Sequence, residues 1–170
     1  MIIPEEGALR FRDGLKTVVD QLDSLAPFDA GKDPDESPLH AIMLPMTPKI
    51  FYLDLLANQR GRFLKITSAT TTRVTFIVPE RGIKDFYQAF DLLVGKNDVR
   101  PAAEIIQEKP GTFKQTPGSK CINIGKRKRL FLDAGNGARG GFLRIAQVAD
   151  GQRYGAHIGL FCKQSTSVSS

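Results

Sequence analysis

The chain has 170 residues, of which 41% are hydrophobic, and a formal net charge of +6. That length is about the size of one domain or two very small ones, and the hydrophobic content is enough for a buried core. The sequence has no run of about 18 apolar residues that would span a bilayer, and its N-terminus, MIIPEEGALRF, lacks the basic-then-apolar order of a signal peptide. We therefore predict a globular protein that lies inside the cell and has no membrane partner.

The charge is unevenly distributed along the chain. Residues 1–36 carry a net −5, residues 37–95 carry +3, and residues 96–170 carry +8. A basic body of this kind attracts phosphate backbones, and such binding weakens steeply with salt. A basic surface that is simply solvated is the alternative, and composition alone does not choose between the two.

Catalytic and metal-binding signatures are absent from the sequence. Two cysteines, Cys121 and Cys162, and two histidines, His40 and His157, are too few for a disulfide framework or a zinc site. We find no nucleophile beside a base and no metal-ligand cluster. The sequence therefore predicts a protein that is not an enzyme and uses no cofactor.

The first predicted element is a helix over residues 1–22. Pro4 in the first turn is pre-set for helical φ, and Glu5 beside it suits the positive end of the helix dipole. Apolar residues then recur at helical spacing, at Phe11, Leu15, Val18, Val19 and Leu22. A linker rich in proline, glycine and charge follows at residues 23–38.

A complete unit of four strands and a helix is predicted over residues 39–95. Its elements, from the alternation of side chains and from helical spacing, are Leu39–Leu44, Phe51–Leu56, Arg62–Thr67, Arg73–Val78 and a helix at Glu80–Val94. The fold class is thus α+β, with antiparallel four-stranded sheets that are each crossed by a helix.

A second linker at residues 96–118 precedes an incomplete unit at residues 119–161, and residues 162–170 are predicted to be a serine-rich tail. The predicted strands of the incomplete unit are Lys120–Ile124, Arg129–Ala134, Gly141–Val148 and a weak fourth strand at Tyr154–Leu160. No helix start follows them.

The two units are copies of one repeat. FYLDLLANQRGRFLKI, from Phe51, aligns without gaps on LFLDAGNGARGGFLRI, from Leu130, at a shift of 79. The second stretch spells G-x-G-x-x-G from Gly135, but FLRIAQV after it predicts a strand where a dinucleotide-binding loop requires a helix. We interpret it as the connection of a β-hairpin, in which Gly and Asn supply the positive φ of the reversal.

A shorter repeat relates the two helices. Ile3 begins IPEEG and Val78 begins VPERG, and apolar residues follow both at helical spacing. The chain therefore contains a closing helix, a complete copy and a copy without its helix. Because this inventory matches two complete copies in permuted order, we predict that the chain can fold as a compact monomer. In it, the N-terminal helix packs on the middle sheet and the second helix packs on the last.

FYLDLLANQRGRFLKI followed by a Pro-Glu helix start resembles the repeat of the Pur-alpha family of purine-rich-element-binding proteins. The resemblance implies single-stranded, purine-rich DNA and RNA binding in transcription regulation, replication or RNA transport, with local duplex unwinding, in the nucleus and cytoplasm. It also implies that two repeats pair into one domain, each helix across the other's sheet. A third repeat, which the last copy looks most like, pairs with that of another chain to make a homodimer.

The candidate binding residues lie on strand Arg62–Thr67 and its copy. Alternation places Leu64 and Ile66 under a helix, and Phe63 and Lys65 side by side on the open face. A flat ring stacks on a base for roughly 1 to 3 kcal/mol, and a neighbouring cation can meet the phosphate. Phe142 and Arg144 repeat this pair in the last copy.

The resemblance places the nucleic-acid contacts of the family on four residues of the middle copy: Asn58, Arg60, Phe63 and Lys65. The full predicted set adds Arg62, Arg139, Phe142 and Arg144. A lysine that is usual in the family two positions before the asparagine is Leu56 here and Gly135 in the last copy. Gly137 stands where the last copy would carry the asparagine. We therefore expect the middle copy to be the main site.

Two alternatives stay open at this point. The sheets could bury against another chain as an interaction or dimerisation module, with Phe63 and Phe142 in the interface and nucleic acid incidental. Basic residues beside both rings favour nucleic acid, because interface cores are depleted in charge.

The run Lys126–Arg129 is equally compatible with a phosphate contact, a nuclear-import signal and a solvated strand entry. Asp54 and Asp133 are interpreted as hairpin structure or salt-bridge partners of nearby arginines.

Overall fold

Two antiparallel four-stranded sheets and two helices make up the computed structural model, which describes residues 1–32, 38–95, 120–138 and 140–149. In chain order the elements are β1 (Ile2–Pro4), α1 (Glu5–Ser24), β2 (His40–Met46), β3 (Lys49–Asn58), β4 (Gly61–Ala69), β5 (Arg73–Pro79), α2 (Glu80–Gly95), β6 (Lys120–Asn123), β7 (Lys128–Gly137) and β8 (Gly140–Ala149). The predicted α+β class, with antiparallel four-stranded sheets, is confirmed.

The middle sheet has the order β2-β3-β4-β5 and is a simple meander. β3 alternates along its whole length between a buried side and a more exposed side, as a sheet covered on one face requires. The chain passes from β5 directly into α2 at Pro79 and Glu80. Proline ends the ladder there because it has no N–H to donate, and its fixed φ suits the approach to a helix.

The composite sheet has the order β1-β8-β7-β6, so its strands come from both ends of the described chain. β1 pairs with β8, with Ile3 opposite Leu143 and Pro4 opposite Phe142. This register copies the middle sheet, in which Val78 is opposite Leu64 and Pro79 is opposite Phe63. The N-terminal segment therefore supplies the end of a closing strand as well as a helix.

The prediction of a helix over all of residues 1–22 is wrong at its start. Ile2–Pro4 is a strand, and α1 begins at Glu5. Two β-branched residues favour extended backbone, and hydrogen bonds to β8 hold it in place. β1 lies beside β8, where the weak fourth strand was expected; Tyr154–Leu160 itself lies outside the described residues.

Each helix packs across the sheet of the other unit. On α1, a Cβ added to Gly14 would lie 3.0 Å from Leu53 and 3.1 Å from Leu44 of the middle sheet. On α2, a Cβ added to Gly82 would lie 3.3 Å from Ile124, next to β6. Glycine at these contacts lets the helix backbone approach the sheet closely.

The core is one continuous hydrophobic cluster that includes both helices and both sheets. Phe11 of α1 is fully buried at its centre, with its ring 5.7 Å from Phe51 of β3 and 5.0 Å from Phe90 of α2. The two helices run antiparallel, because Arg12 in the first half of α1 pairs with Asp91 in the last turns of α2, and Asp23 at the end of α1 pairs with Lys84 in the first turns of α2. In the part of the chain that the structure describes, neither helix is long and apolar enough to cross a membrane.

Candidate nucleic-acid interface

The outer face of the middle sheet is the side turned away from the helices. On β4 the inward side chains of Arg62, Leu64 and Ile66 are buried, whereas Phe63 and Lys65 point outward and are half-buried. This is the division that strand alternation predicts for these five residues. An aromatic ring and a cation thus stand next to each other on a face that neither helix covers.

Four residues form a rectangle on this outer face. Phe63 lies opposite Leu56, and Lys65 lies opposite Asp54, across the β3–β4 ladder. Directly opposed side chains on a sheet lie about 5 Å apart and diagonal ones about 7 to 8 Å apart, so all four are within contact range of one ligand. We call this group the Phe63 rectangle.

The β3–β4 turn places two further predicted residues at the end of the rectangle. The Asn58 side-chain oxygen accepts a hydrogen bond of 2.8 Å from the backbone N–H of Arg60. Gly61 follows with φ of +131°, a conformation that suits glycine and closes the reversal. Arg60 is exposed in this turn, so the turn presents a cation to solvent.

Arg62 does not belong to this surface, and its predicted role in nucleic-acid binding is not supported. Only 5% of the residue is exposed. Its guanidinium lies 3.7 Å from the Glu80 carboxylate and 5.9 Å from the centre of the Phe28 ring, which gives it an ion pair and a cation–π contact. Arg62 joins the segment after α1 to the start of α2 and has a structural role.

The composite sheet carries a related but different surface. The Phe142 ring lies against the backbone of Gly135, so closely that an added Cβ would be 2.7 Å from the ring. Arg144 donates two hydrogen bonds to one carboxylate oxygen of Asp133, at 2.7 and 3.1 Å. Asp133 is 7% exposed, whereas the Arg144 side chain is 34% exposed, so the ion pair is buried on its acidic side and open to solvent on its basic side. Arg139 lies outside the described residues.

Electrostatics separate the two carboxylates that occupy the same repeat position. Burial raises the pKa of Asp54 above its usual 3.8, and the charge of Lys65 opposes that rise without cancelling it. Within the described residues, no hydrogen bond or ion pair ties Asp54 down, in contrast to Asp133. The middle sheet therefore holds a half-buried carboxylate that still has capacity to accept hydrogen bonds.

Sequence reasoning missed an apolar part of the same outer face. Met43, Ile50 and Ile77 are 59%, 36% and 50% exposed, and half-buried Tyr52 lies opposite Met43. The signal was present in β3, where three of the outward positions, Ile50, Tyr52 and Leu56, carry apolar or aromatic side chains. Such side chains on the open face of a strand indicate either burial of that face or a surface that binds a partner.

The basic run and the candidate metal ligands of the sequence can both be checked in the structure. Lys126 to Arg129 are all exposed in the β6–β7 turn and the start of β7. The structure places none of the predicted residues in a metal centre, since no group of three or more potential ligands is found among the described residues.

Comparison with known proteins agrees with this architecture. A family model described as "PurA ssDNA and RNA-binding protein" matches residues 1–165, which confirms the resemblance seen in the repeats. "Transcription factor Pur-alpha 1" of Arabidopsis thaliana is 29% identical in an alignment of 163 positions that covers 70% of this chain and 55% of the relative.

Two animal proteins named "Transcriptional activator protein Pur-alpha", of Mus musculus and Homo sapiens, are each 29% identical over 154 residues. The aligned parts are 83% of this chain and 44% of each relative. The chain thus spans about half the length of the curated relatives that it matches.

Proposed function

The chain belongs to the family of PurA single-stranded DNA- and RNA-binding proteins, and from this premise we propose that it binds single-stranded, purine-rich DNA or RNA. The proposed site is the outer face of the middle sheet. The names of the relatives support a role in transcription regulation. Replication, RNA transport and local duplex unwinding, with residence in nucleus and cytoplasm, are part of the same proposal, as is the absence of catalysis.

One observation carries this proposal: Phe63 and Lys65 stand together on a sheet face that no element of the described chain covers, with Arg60 at its end. Single strands are recognised in this way, since unpaired bases stack on exposed rings while basic side chains follow the phosphates. In a duplex the base faces are stacked on each other, so they are not open to stacking on Phe63.

Fluorescence anisotropy of a labelled G-rich single strand tests the proposal, with the matching duplex and a pyrimidine strand as competitors. We expect the single strand to bind most tightly and Phe63→Ala to weaken it by 1 to 3 kcal/mol, roughly 5- to 150-fold. Phe142→Ala is the matched variant in the composite sheet. It should cost less, because its ring already packs on Gly135 and its cation is paired with Asp133.

The salt dependence of the same measurement identifies the opposite outcome. If all three nucleic acids bind equally weakly, lose binding in salt and have the same affinity for Phe63→Ala as for wild type, then only the net charge attracts them. That result would remove the outer face of the middle sheet as a specific site.

A second candidate function is protein docking, which the exposed side chains of Met43, Ile50 and Ile77 favour. Met43 and Ile50 lie next to Tyr52 on β2 and β3, and Ile77 lies on the same face beyond Lys65. Exposed apolar side chains on one face are typical of a surface that binds a partner. Met43→Ser and Ile77→Ser separate the two functions. If the face is a protein interface, both changes should abolish self-association or partner binding and leave the affinity for single strands unchanged.

We propose further that one chain completes the two-sheet unit, as a compact monomer rather than a homodimer formed through the last copy. The exchange of helices and the single hydrophobic cluster support this arrangement. Light scattering coupled to size exclusion, over a hundredfold range of concentration, should give the mass of one chain. A constant mass of two chains would favour the homodimer that the family resemblance implies.

A further inference from the structure

The carboxylate of Asp54 occupies a position that is unusual for a surface that binds phosphates. Its neighbours across the ladders are Ala41 on β2 and Lys65 on β4, and Phe63 is its diagonal neighbour. An acidic side chain here repels the backbone of a nucleic acid. A bound strand must therefore direct something other than phosphate towards it.

The physical state of Asp54 indicates what that partner is. Half-burying a carboxylate costs free energy unless hydrogen bonds compensate it. In the composite sheet, Arg144 gives Asp133 two charge-assisted hydrogen bonds. In the described part of the middle sheet, no donor does the same for Asp54, although Lys65 favours its charged form. The middle sheet therefore holds an acceptor whose donors are to come from a ligand.

We propose that Asp54 is a specificity-determining residue that selects guanine in the base stacked on Phe63. This inference rests on the proposed function. A carboxylate has only acceptors, and the Watson–Crick edge of guanine presents two adjacent donors, N1–H and the N2 amino group. Adenine, cytosine and uracil place an acceptor beside their donor on that edge. Guanine is thus the one common base that meets a carboxylate with two parallel hydrogen bonds.

The arrangement also orients the strand. With the base edge towards Asp54, the sugar and phosphate lie away from it, towards the β3–β4 turn that carries Arg60. The end of the Phe63 rectangle at Asp54 then reads the base, and the end at the turn contacts the backbone. This division agrees with the general rule that backbone contacts position a strand and base contacts specify it.

Base analogues test the proposal. A strand of alternating guanine and adenine, in lithium buffer to suppress quadruplexes, is compared with strands that carry inosine or 7-deazaguanine in place of guanine. Inosine lacks the N2 amino group, and 7-deazaguanine keeps both donors. We expect inosine to weaken binding about five- to tenfold and 7-deazaguanine to have little effect. The effect of Phe63→Ala on the guanine strand checks the stacking site independently.

Substitution of the carboxylate completes the test. Asp54→Asn has nearly the same shape but presents an amide donor to guanine, so we expect its guanine-to-inosine ratio to fall below about twofold. Asp54→Glu should keep part of the preference. Asp85→Asn, an exposed position on α2, makes the same charge change and should keep the wild-type ratio. Melting curves establish that all variants are folded.

Two results would overturn the proposal and are distinct from failure of the proposed function. If Asp54→Asn binds every strand more tightly with an unchanged ratio, Asp54 only repels phosphate. If wild type does not distinguish inosine from guanine, no residue reads the N2 amino group. In both cases Phe63→Ala still weakens binding when the proposed function is right; if Phe63→Ala has no effect either, the stacking site itself fails.

Discussion

The middle sheet and the composite sheet place the same repeat in two different environments. Their central hairpins have matching registers, so that Phe63 and Phe142 occupy equivalent positions and so do Lys65 and Arg144. The side chains around them differ. Phe63 faces Leu56, whereas Phe142 lies on Gly135, and Arg144 is bound to Asp133. A repeat thus fixes where a side chain stands, while its neighbours decide whether it is available to a ligand.

The two sheets also depend differently on the chain termini. The middle sheet is formed by one continuous segment, but its inner face is covered by α1. The composite sheet needs β1 for its fourth strand and α2 for its cover. Neither sheet is covered by the helix of its own repeat alone, which explains why one core joins them.

The largest expected effect is therefore on the shared core. Phe11→Ala removes a fully buried ring between β3 and α2, and should lower the free energy of unfolding by about 3 to 5 kcal/mol. Leu9→Ala is the control, because Leu9 lies on the same helix and is 48% exposed. This change should alter the free energy of unfolding by less than about 0.5 kcal/mol. Urea denaturation followed by circular dichroism measures both.

The shape of that transition also bears on the comparison. If the two sheets share one core, wild type and Phe11→Ala should each unfold in a single step. Two separate transitions, with only one of them shifted, would mean that the sheets are independent units.

The second effect contrasts the two carboxylates. Asp133→Asn removes the charged acceptor of Arg144 in a partly buried pair, and we expect a loss of about 1 to 3 kcal/mol in unfolding free energy. Asp13→Asn breaks the exposed pair with Arg12 and should cost less than about 0.5 kcal/mol. Equal small losses in urea denaturation would show that the Asp133 pair is no stronger than a surface pair.

Much of the fold was predictable because the repeat is long. The shift of 79 and strand alternation together predicted the β3–β4 and β7–β8 hairpins, and the Pro79–Glu80 pair predicted the start of α2. β1 was not predictable, because a strand of three residues has too few positions to show alternation. What makes it a strand is pairing with β8, far away in the sequence.

For the site, the sequence predicted which side chains lie on the outer face but did not predict their tertiary neighbours. Alternation placed Phe63 and Lys65 on the outer face, where the structure has them. The same alternation puts Arg62 on the inner side with Leu64, which conflicts with the prediction that Arg62 contacts nucleic acid. The sequence could not reveal that Phe28 and Glu80, from two other segments, enclose it. Tertiary neighbours of this kind leave no local pattern.

A third test adds what the middle copy lacks. Leu56→Lys places a cation opposite Phe63, where the family pattern has a lysine, and should tighten binding of the single strand severalfold. Because one more phosphate is neutralised, the salt dependence should steepen by about 0.7 in the log–log slope. Gln88→Lys, exposed on α2, is the charge-matched control and should leave both nearly unchanged. An equal gain from both variants would mean that net charge alone matters.

The smallest expected effect concerns the stability of Asp54→Asn. Because burial raises the pKa of Asp54 in the folded state, the folded protein holds this proton more tightly than the unfolded chain does. The free energy of unfolding therefore falls as pH rises from the unfolded value of 3.8 through the folded one, and the cost remains at neutral pH. Asp54→Asn should stabilise the protein at pH 7, by less than about 0.5 kcal/mol, and lose this advantage near pH 3.

The sign of the change in unfolding free energy distinguishes Asp54 of the middle sheet from Asp133 of the composite sheet more clearly than its size does. Urea denaturation at both pH values should show Asp54→Asn stabilising where Asp133→Asn destabilises, because one carboxylate lacks the donors that the other has from Arg144. If Asp54→Asn also destabilises at pH 7, then Lys65 supports Asp54 as Arg144 supports Asp133. The middle sheet would then hold a structural pair, and its carboxylate would have no remaining need for the donors of a base.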